Sequence, residues 1–274
     1  AVAVDAGRFV ARGPAAEAAF RRYHLNQWVE DISRWISVKR WDAAAPDLTA
    51  WRRYPEELKG RECHLSFDST QSFDLAAMCL RFPPAAPGEL TKFIWRFWLP
   101  SETIEAREAA EGVPFSQWVR DGALTSIPGG TFELDYAIEA ARQACADYKV
   151  MKIGWDAWNA LEFYNRLVKL GLPEDLFLKL RFGTGTLGQA TKDFEGKVFG
   201  RSLDHGGNPI ARWMIGHCHV RFDENMNFVP AKKRSENSID GIVAAVMAEA
   251  VATAPVEQKP ASPWDDPTFS LVKR

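Results

Sequence analysis

The chain lacks most of the features that mark a protein class at a glance. Its 274 residues include only four cysteines, Cys63, Cys79, Cys145 and Cys218, and none falls in a CxxC pair. A structural zinc site or a dense disulfide framework is therefore not expected, and free thiols in a reducing compartment are. No run of 18 apolar residues occurs, so no transmembrane helix and no membrane partner are expected. The opening AVAVDAGRFVARG has no long apolar segment and does not read as a signal peptide. It also lacks an initiator Met, so the chain is expected to be a fragment or a processed product. No GxxxxGK[ST] string exists. The nearest, GTGTLGQAT over Gly183–Thr191, has no lysine for phosphates and reads as a loop. A bias in charge is missing too. Basic residues number 34 and acidic ones 36, for a net charge of −2. That excludes a histone-like polybasic binder but leaves room for a local basic groove.

What remains is ordinary globular composition, 46% hydrophobic and 26% charged, enough for a large core and too apolar for general disorder. The eleven tryptophans imply wide apolar contacts and are expected mostly in that core.

Apolar spacing predicts a helix from Phe20 to Trp35, followed by an extended arm that Pro46 and Pro55 punctuate. Residues 63–69, 75–82 and 92–99 are apolar runs of strand length, and PPAAPGE separates the last two. Short connections make them an antiparallel meander. Residues 101–134 read as irregular, with Gly122, Gly129 and Gly130 marking turns. A helix over 135–148 has Asp135 as its expected N-cap. Strands follow at 149–155 and 175–181, and helices at 157–170 and 186–199. A hairpin over 217–222 and 226–231 turns around 223–225. A strongly apolar helix spans 238–253, and 254–274 is a tail with four prolines, expected to be flexible. The order predicts an α/β fold, one mixed sheet flanked by helices.

Three acids stand in unusual places. Asp68 ends the first strand of the meander (LSFDST), Asp156 ends the fourth strand (KIGWDAW), and Asp240 opens the last helix (NSIDGIVAAVMA). A carboxylate at the end of a buried strand is costly to desolvate unless it is paired or binds a cation. In α/β sheets the carboxyl ends of strands are where ligands collect. Side by side, strands one and four would bring Asp68 and Asp156 together, and the last helix would deliver Asp240. Hard oxygen donors with open water positions suit Mg²⁺ or Mn²⁺. Two such ions about 4 Å apart are a known device for phosphodiester cleavage. Each acid alone also reads as a helix or turn cap; the coincidence of three on one sheet favours function.

At these residues the sequence resembles the C-terminal nuclease domain of the large terminase subunit of tailed double-stranded DNA phages. The matching stretches are CHLSFDSTQSFDLAAMCLRF (63–82), RFWLPSETIEAREAAEGVPFSQWVRDGALTSIPGG (96–130), IGWDAWNALEFYNRLVKLG (153–171), HGGNPIARWM (205–214) and VPAKKRSENSIDGIVAAVMA (229–248). Upstream, YHLNQW (23–28) fits the junction that follows the family's ATPase domain. The resemblance covers roughly residues 20–250. It implies an RNase H-like fold and cleavage with two divalent ions, Mg²⁺ or Mn²⁺, held by Asp68, Asp156 and Asp240. Some members add a His shortly before the last acid, where this chain has Asn237. The implied organisation is an arm and helix over 1–60 leading from an ATPase domain outside this chain, a nuclease domain over 61–253, and the tail. Implied partners are double-stranded DNA, the ATPase domain, the portal protein and the small terminase subunit, in the host cytoplasm.

Other residues qualify as helpers. Asp74 is placed to support the metal site from behind, or is an exposed strand start. His205, in LDHGGNP, either meets the scissile phosphate or bonds backbone as a loop His. His217 and His219 share a strand face but have no further ligand nearby for tetrahedral zinc, so they read as structural. Trp155 and Trp158 flank Asp156 and are expected to wall the site. From Lys179 to Arg234 ten basic residues face five acidic ones, a local charge of +5. Within it Lys232, Lys233 and Arg234 stand just before Asp240, suited to clamp a DNA phosphate. The rival readings are another RNase H-like nuclease, of resolvase or transposase type, and a docking module that grips DNA or the portal without cutting.

Overall fold

A computed structural model of the chain describes residues 32–68, 75–156, 160–232, 235 and 237–255. In chain order the elements begin with strand β1 (Ile32–Arg34), helix α1 (Val38–Asp42), a 3-10 turn (Ala50–Arg52) and helix α2 (Tyr54–Glu57). The meander follows as β2 (Glu62–Asp68), β3 (Ala76–Phe82) and β4 (Thr91–Pro100). Then come α3 (Ser101–Glu111), α4 (Phe115–Arg120), β5 (Thr125–Ile127), α5 (Leu134–Asp147), β6 (Lys149–Asp156) and α6 (Leu161–Lys169). The last part holds β7 (Phe177–Leu180), α7 (Thr184–Phe199), β8 (Leu203–Asp204), α8 (Pro209–Gly216), β9 (His219–Phe222), β10 (Phe228–Pro230) and α9 (Asp240–Thr253).

The main sheet runs β5-β4-β3-β2-β6-β7, with β8 also on β4. The meander is antiparallel as expected. β6 adds to β2 in parallel, and β7 to β6 in parallel. Side chains alternate across a strand, so each face of the sheet gathers its own core. Leu65, Phe67, Ile153 and Trp155 point to the face covered by α5 and α6. Cys79, Phe93 and Phe97 point to the opposite face, against α7, α8 and α9. α9 is apolar all round because it is buried all round, from Asp240 through Val251. Gly154 makes its seat on β6, because a Cβ there would lie 2.4 Å from Val251 Cγ2.

Several expectations are corrected. The hairpin β9–β10 does not join the main sheet; with β1 it forms a second, three-stranded antiparallel sheet. The helix expected over 20–35 is strand at 32–34, paired to β9, and its earlier part lies outside the described residues. Beyond it there is no extended arm. Short helices pack inward, and Trp35 and Trp41 are fully buried in the α9-side core. Residues 101–127 are not irregular but hold α3, α4 and β5. α3 buries only Ile104 and leaves its other residues exposed or half-buried, so it shows no apolar stripe. The Gly183–Thr191 string is the start of α7 rather than a loop, because Leu187, Ala190, Thr191 and Phe194 bury one face of it. Asp135 sits in the first turn of α5 and pairs with Arg166 instead of capping the helix. All four cysteines are free, as expected. Among the described residues no helix is long and apolar enough to cross a membrane. The tail beyond residue 255 lies outside the described residues.

Candidate functional site

β2 and β6 lie side by side and in register. The last ladder pair is Phe67 with Trp155, and the next residues are Asp68 and Asp156. Adjacent strands are about 4.8 Å apart, so the two acids begin from neighbouring Cα positions. Both alternate away from Phe67 and Trp155 and therefore face α9. Ser66, two residues before Asp68, points the same way and donates its hydroxyl to the Ala244 carbonyl, pinning β2 to the middle of α9. Asp240 opens that helix, where a negative charge is favoured by the backbone dipoles. Asp68, Asp156 and Asp240 are 2%, 6% and 2% exposed. The three acids picked from sequence are thus brought to one end of the sheet.

A device that sequence reasoning missed sets the height of Asp240. Gly241 lets the first turn of α9 press onto β4. A Cβ at that position would lie 2.5 Å from Phe97 Cε1 and 3.0 Å from Met214 Sδ. The Gly241 carbonyl accepts a hydrogen bond from Trp95 Nε1 at 2.8 Å. Glycine is a poor helix former, so a Gly directly after an acid at a helix start was the available signal of a close approach.

Lys232 sits inside the cluster, not on an open phosphate-binding surface. Its Nζ donates to Asp240 Oδ1 at 2.9 Å. It also lies 2.5 Å from Asp68 Oδ2, an ion pair at close range without the direction of a hydrogen bond. Burial pushes the Asp68 carboxyl above the usual carboxylate range; Asp240 and Asp156 add to this while Lys232 opposes it. Burial alone would lower the Lys232 ammonium, but Asp68 and Asp240 outweigh it and hold it well above its ordinary value. Among the described residues no three His, Cys, Asp or Glu side chains stand ready-gathered around one ion. The donor chemistry nevertheless fits a hard cation. The three side chains are all carboxylates, and a lysine ammonium already bridges two of them as a stand-in.

The other predicted residues separate. Asp74, Trp158, Lys233 and Arg234 lie outside the described residues. Trp155 does not wall the acids. It stacks on Tyr164 at 4.8 Å, on the far face of the sheet. His205 follows β8, which pairs with Thr91 and Lys92, whereas Asp68 is level through Ala77 with Phe97. About four residues of strand put it roughly 13 Å along the sheet from the acids. It is fully buried, bonded through Nε2 to the Trp41 carbonyl at 2.8 Å and stacked on that ring at 4.2 Å. Burial lowers its pKa to about 4, so it is neutral at pH 7. The geometry is that of the loop His bonded to backbone, out of reach of a phosphate at the acids. His217 and His219 gather no ligand set among the described residues.

These observations define a class: a three-layer α/β domain of RNase H-like fold with buried acids where two parallel strands end. The family described as the endonuclease domain of the terminase large subunit matches residues 7–255, and the chain belongs to that family. It is 25% identical over 256 residues to the terminase large subunit of Enterobacteria phage HK97, covering 90% of this chain and 47% of that protein. It is 27% identical over 240 residues to protein YmfN of Escherichia coli strain K12, covering 84% and 50%. The crystal structure of the HK97 large terminase superposes with a TM-score of 0.72 at 23% identity, over 90% of this chain and 49% of that one, and supports the fold. The chain spans about half the length of these relatives.

Proposed function

We propose that the chain is the metal-dependent DNA endonuclease domain of a phage packaging terminase, cutting concatemeric double-stranded DNA by phosphodiester hydrolysis. One observation carries the reading: Asp68 and Asp156 leave adjacent parallel strands on the same face, and α9 adds Asp240 beside Lys232. Carboxylates held this close repel one another unless a cation shares them. Oxygen-only donors suit Mg²⁺ or Mn²⁺. A pair of such ions supplies activation of water and neutralisation of charge at the leaving 3′ oxygen. The chain's own residues do the rest. β2 and β6 fix Asp68 and Asp156, the close seat of Gly241 fixes Asp240, Lys232 holds Asp68 and Asp240 as their counter-ion, and Lys233 and Arg234, next in sequence, offer positive charge to the backbone phosphate. Expected partners are DNA, the ATPase domain of the same subunit, the portal protein and the small terminase subunit, in the host cytoplasm.

The test is cleavage of supercoiled plasmid in Mg²⁺ or Mn²⁺ by the native chain, Asp68→Asn and Asp240→Asn. Nicking by the native chain alone is expected. Intact plasmid with the native chain in both metals ends the enzymatic reading, and equal cutting by the variants ends the site assignment. A second reading, a docking module that grips DNA without cutting, is favoured by the ammonium already lodged between the acids. The same assay separates the two.

A further inference from the structure

Lys232 stands in a place that a simple phosphate clamp would not occupy. Its side chain is 19% exposed, while those of Asp68 and Asp240 are 2% and 3% exposed. The ammonium reaches an oxygen of each acid, at 2.5 Å and 2.9 Å. A divalent ion bound by the same oxygens would sit about 2.1 Å from them. An ammonium and a divalent ion on the same oxygens would lie about 4 Å apart and repel one another, so an arriving ion and the Lys232 ammonium compete for them. The lysine stem is long and has four rotatable bonds, and Lys232 is the least buried member of the trio. It can therefore leave the acids without moving β2 or α9. Once displaced, the ammonium needs another anion at the mouth of the site, and a DNA backbone phosphate is the anion that the proposed substrate brings.

We propose that Lys232 is a resident counter-ion of the acid cluster that gives up Asp68 and Asp240 to the metal and passes to a DNA phosphate, so that metal loading is coupled to DNA binding. This rests on the nuclease reading above. In the free protein the acids are partly neutralised and bind a divalent ion weakly. With DNA present the competitor is drawn off and the same ion binds tightly. Linkage makes the effect reciprocal, so metal must tighten DNA binding by the same factor.

The experiment measures Mn²⁺ affinity by electron paramagnetic resonance of the free ion, with and without a short phosphorothioate duplex that resists cleavage. Proteins compared are the native chain, Lys232→Met, Lys232→Arg and Asp156→Asn. Without DNA, Lys232→Met is expected to bind Mn²⁺ about tenfold more tightly than the native chain, and Lys232→Arg about as the native chain does. Adding duplex is expected to tighten Mn²⁺ binding to the native chain about tenfold and to leave Lys232→Met nearly unchanged. Equal or weaker Mn²⁺ binding by folded Lys232→Met overturns the proposal, because a lysine that only clamps phosphate or only supports the fold predicts that result. Should Lys232→Met fail to fold, the native chain decides: no gain in Mn²⁺ affinity on adding duplex overturns the proposal. Asp156→Asn keeps the two readings apart. Tight Mn²⁺ binding lost in Asp156→Asn but unmoved by Lys232→Met sinks only the counter-ion role. Absence of Mn²⁺ binding to every protein sinks the nuclease site with it.

Discussion

The two ends of α9 both carry buried charge, but in opposite balance. Towards its C-terminus, Glu249 is fully buried between two cations, with Arg81 Nε at 3.0 Å and Lys197 Nζ at 2.5 Å. One carboxylate there serves two positive groups. At the N-terminus one lysine serves two carboxylates, Asp68 and Asp240, with Asp156 on the neighbouring strand. Burial of an acid is therefore not itself a functional sign. The Glu249 end is a satisfied polar network of the kind that orients a helix, and removing one member should leave the others stranded. At the Asp240 end burial, and with it Asp240 and Asp156, push the Asp68 carboxyl up, which is the arrangement expected where a cation is to be received.

The contrast breaks most visibly in activity. Asp68→Asn, Asp156→Asn and Asp240→Asn are each expected to lower plasmid cleavage by about 10²-fold or more, since metal stabilisation of transition-state charge is worth several kcal/mol. Urea unfolding without metal should show these variants as stable as the native chain, or more so by up to about 1 kcal/mol, because repulsion is relieved. A large loss of stability in all three would erase the distinction between the two ends.

Next in size, Glu249→Ala should cost about 3–5 kcal/mol in urea unfolding by stranding Arg81 and Lys197. A cost below about 1 kcal/mol would mean that this end is not the structural one. Gly241→Ala should cost about 1–3 kcal/mol by overpacking against Phe97 and Met214. It should also reduce cleavage by displacing Asp240, while Gly154→Ala, clashing with Val251 near the other end, should cost stability with less effect on cleavage.

The smallest effect is in pH, where the ends should differ in sign. Burial lowers His64 to about 4, with Arg81 adding to this, and burial lowers His205 to about 4. For a His depressed from about 6.5, the unfolded chain binds the proton first, so stability is full above pH 6.5 and falls on acidification towards 4. His205 should contribute a loss of about 2 kcal/mol between pH 7 and pH 5, and the more exposed His64 less. His205→Gln should flatten that slope in urea midpoints; an unchanged slope would contradict the assignment. Asp68 runs the other way. Its carboxyl is raised, so its contribution is greatest at low pH and is lost as pH rises from the unfolded value through the folded one.

Legibility followed burial. β2, β3, β4, β6 and α9 are long apolar runs, and an acid at the border of such a run stands out; hence Asp68, Asp156 and Asp240 were visible in the sequence. The β1-β9-β10 sheet was only partly visible, because strands of three or four residues are too short to show a period. α3 was missed because it rides on the surface with one buried residue, although its Glu and Ala content favours helix. His205 kept two readings in the sequence because a loop His says nothing about which end of the sheet it serves, and the fold supports the one bonded to backbone. The Glu249 network had a readable trace: Arg81 interrupts the apolar run LAAMCLRF, and a charge inside a buried strand demands a partner. Only the fold could name that partner. The same holds for Lys232, whose place in a basic run pointed outward to DNA while its side chain points inward to the acids.

The most direct test of the central claim is anomalous scattering from crystals soaked in Mn²⁺. A manganese peak is expected within coordination distance of carboxylate oxygens from Asp68, Asp156 and Asp240, with the Lys232 ammonium moved off them. A manganese ion bound elsewhere, with the lysine still bridging Asp68 and Asp240 in a crystal form that cuts DNA on dissolution, would contradict it.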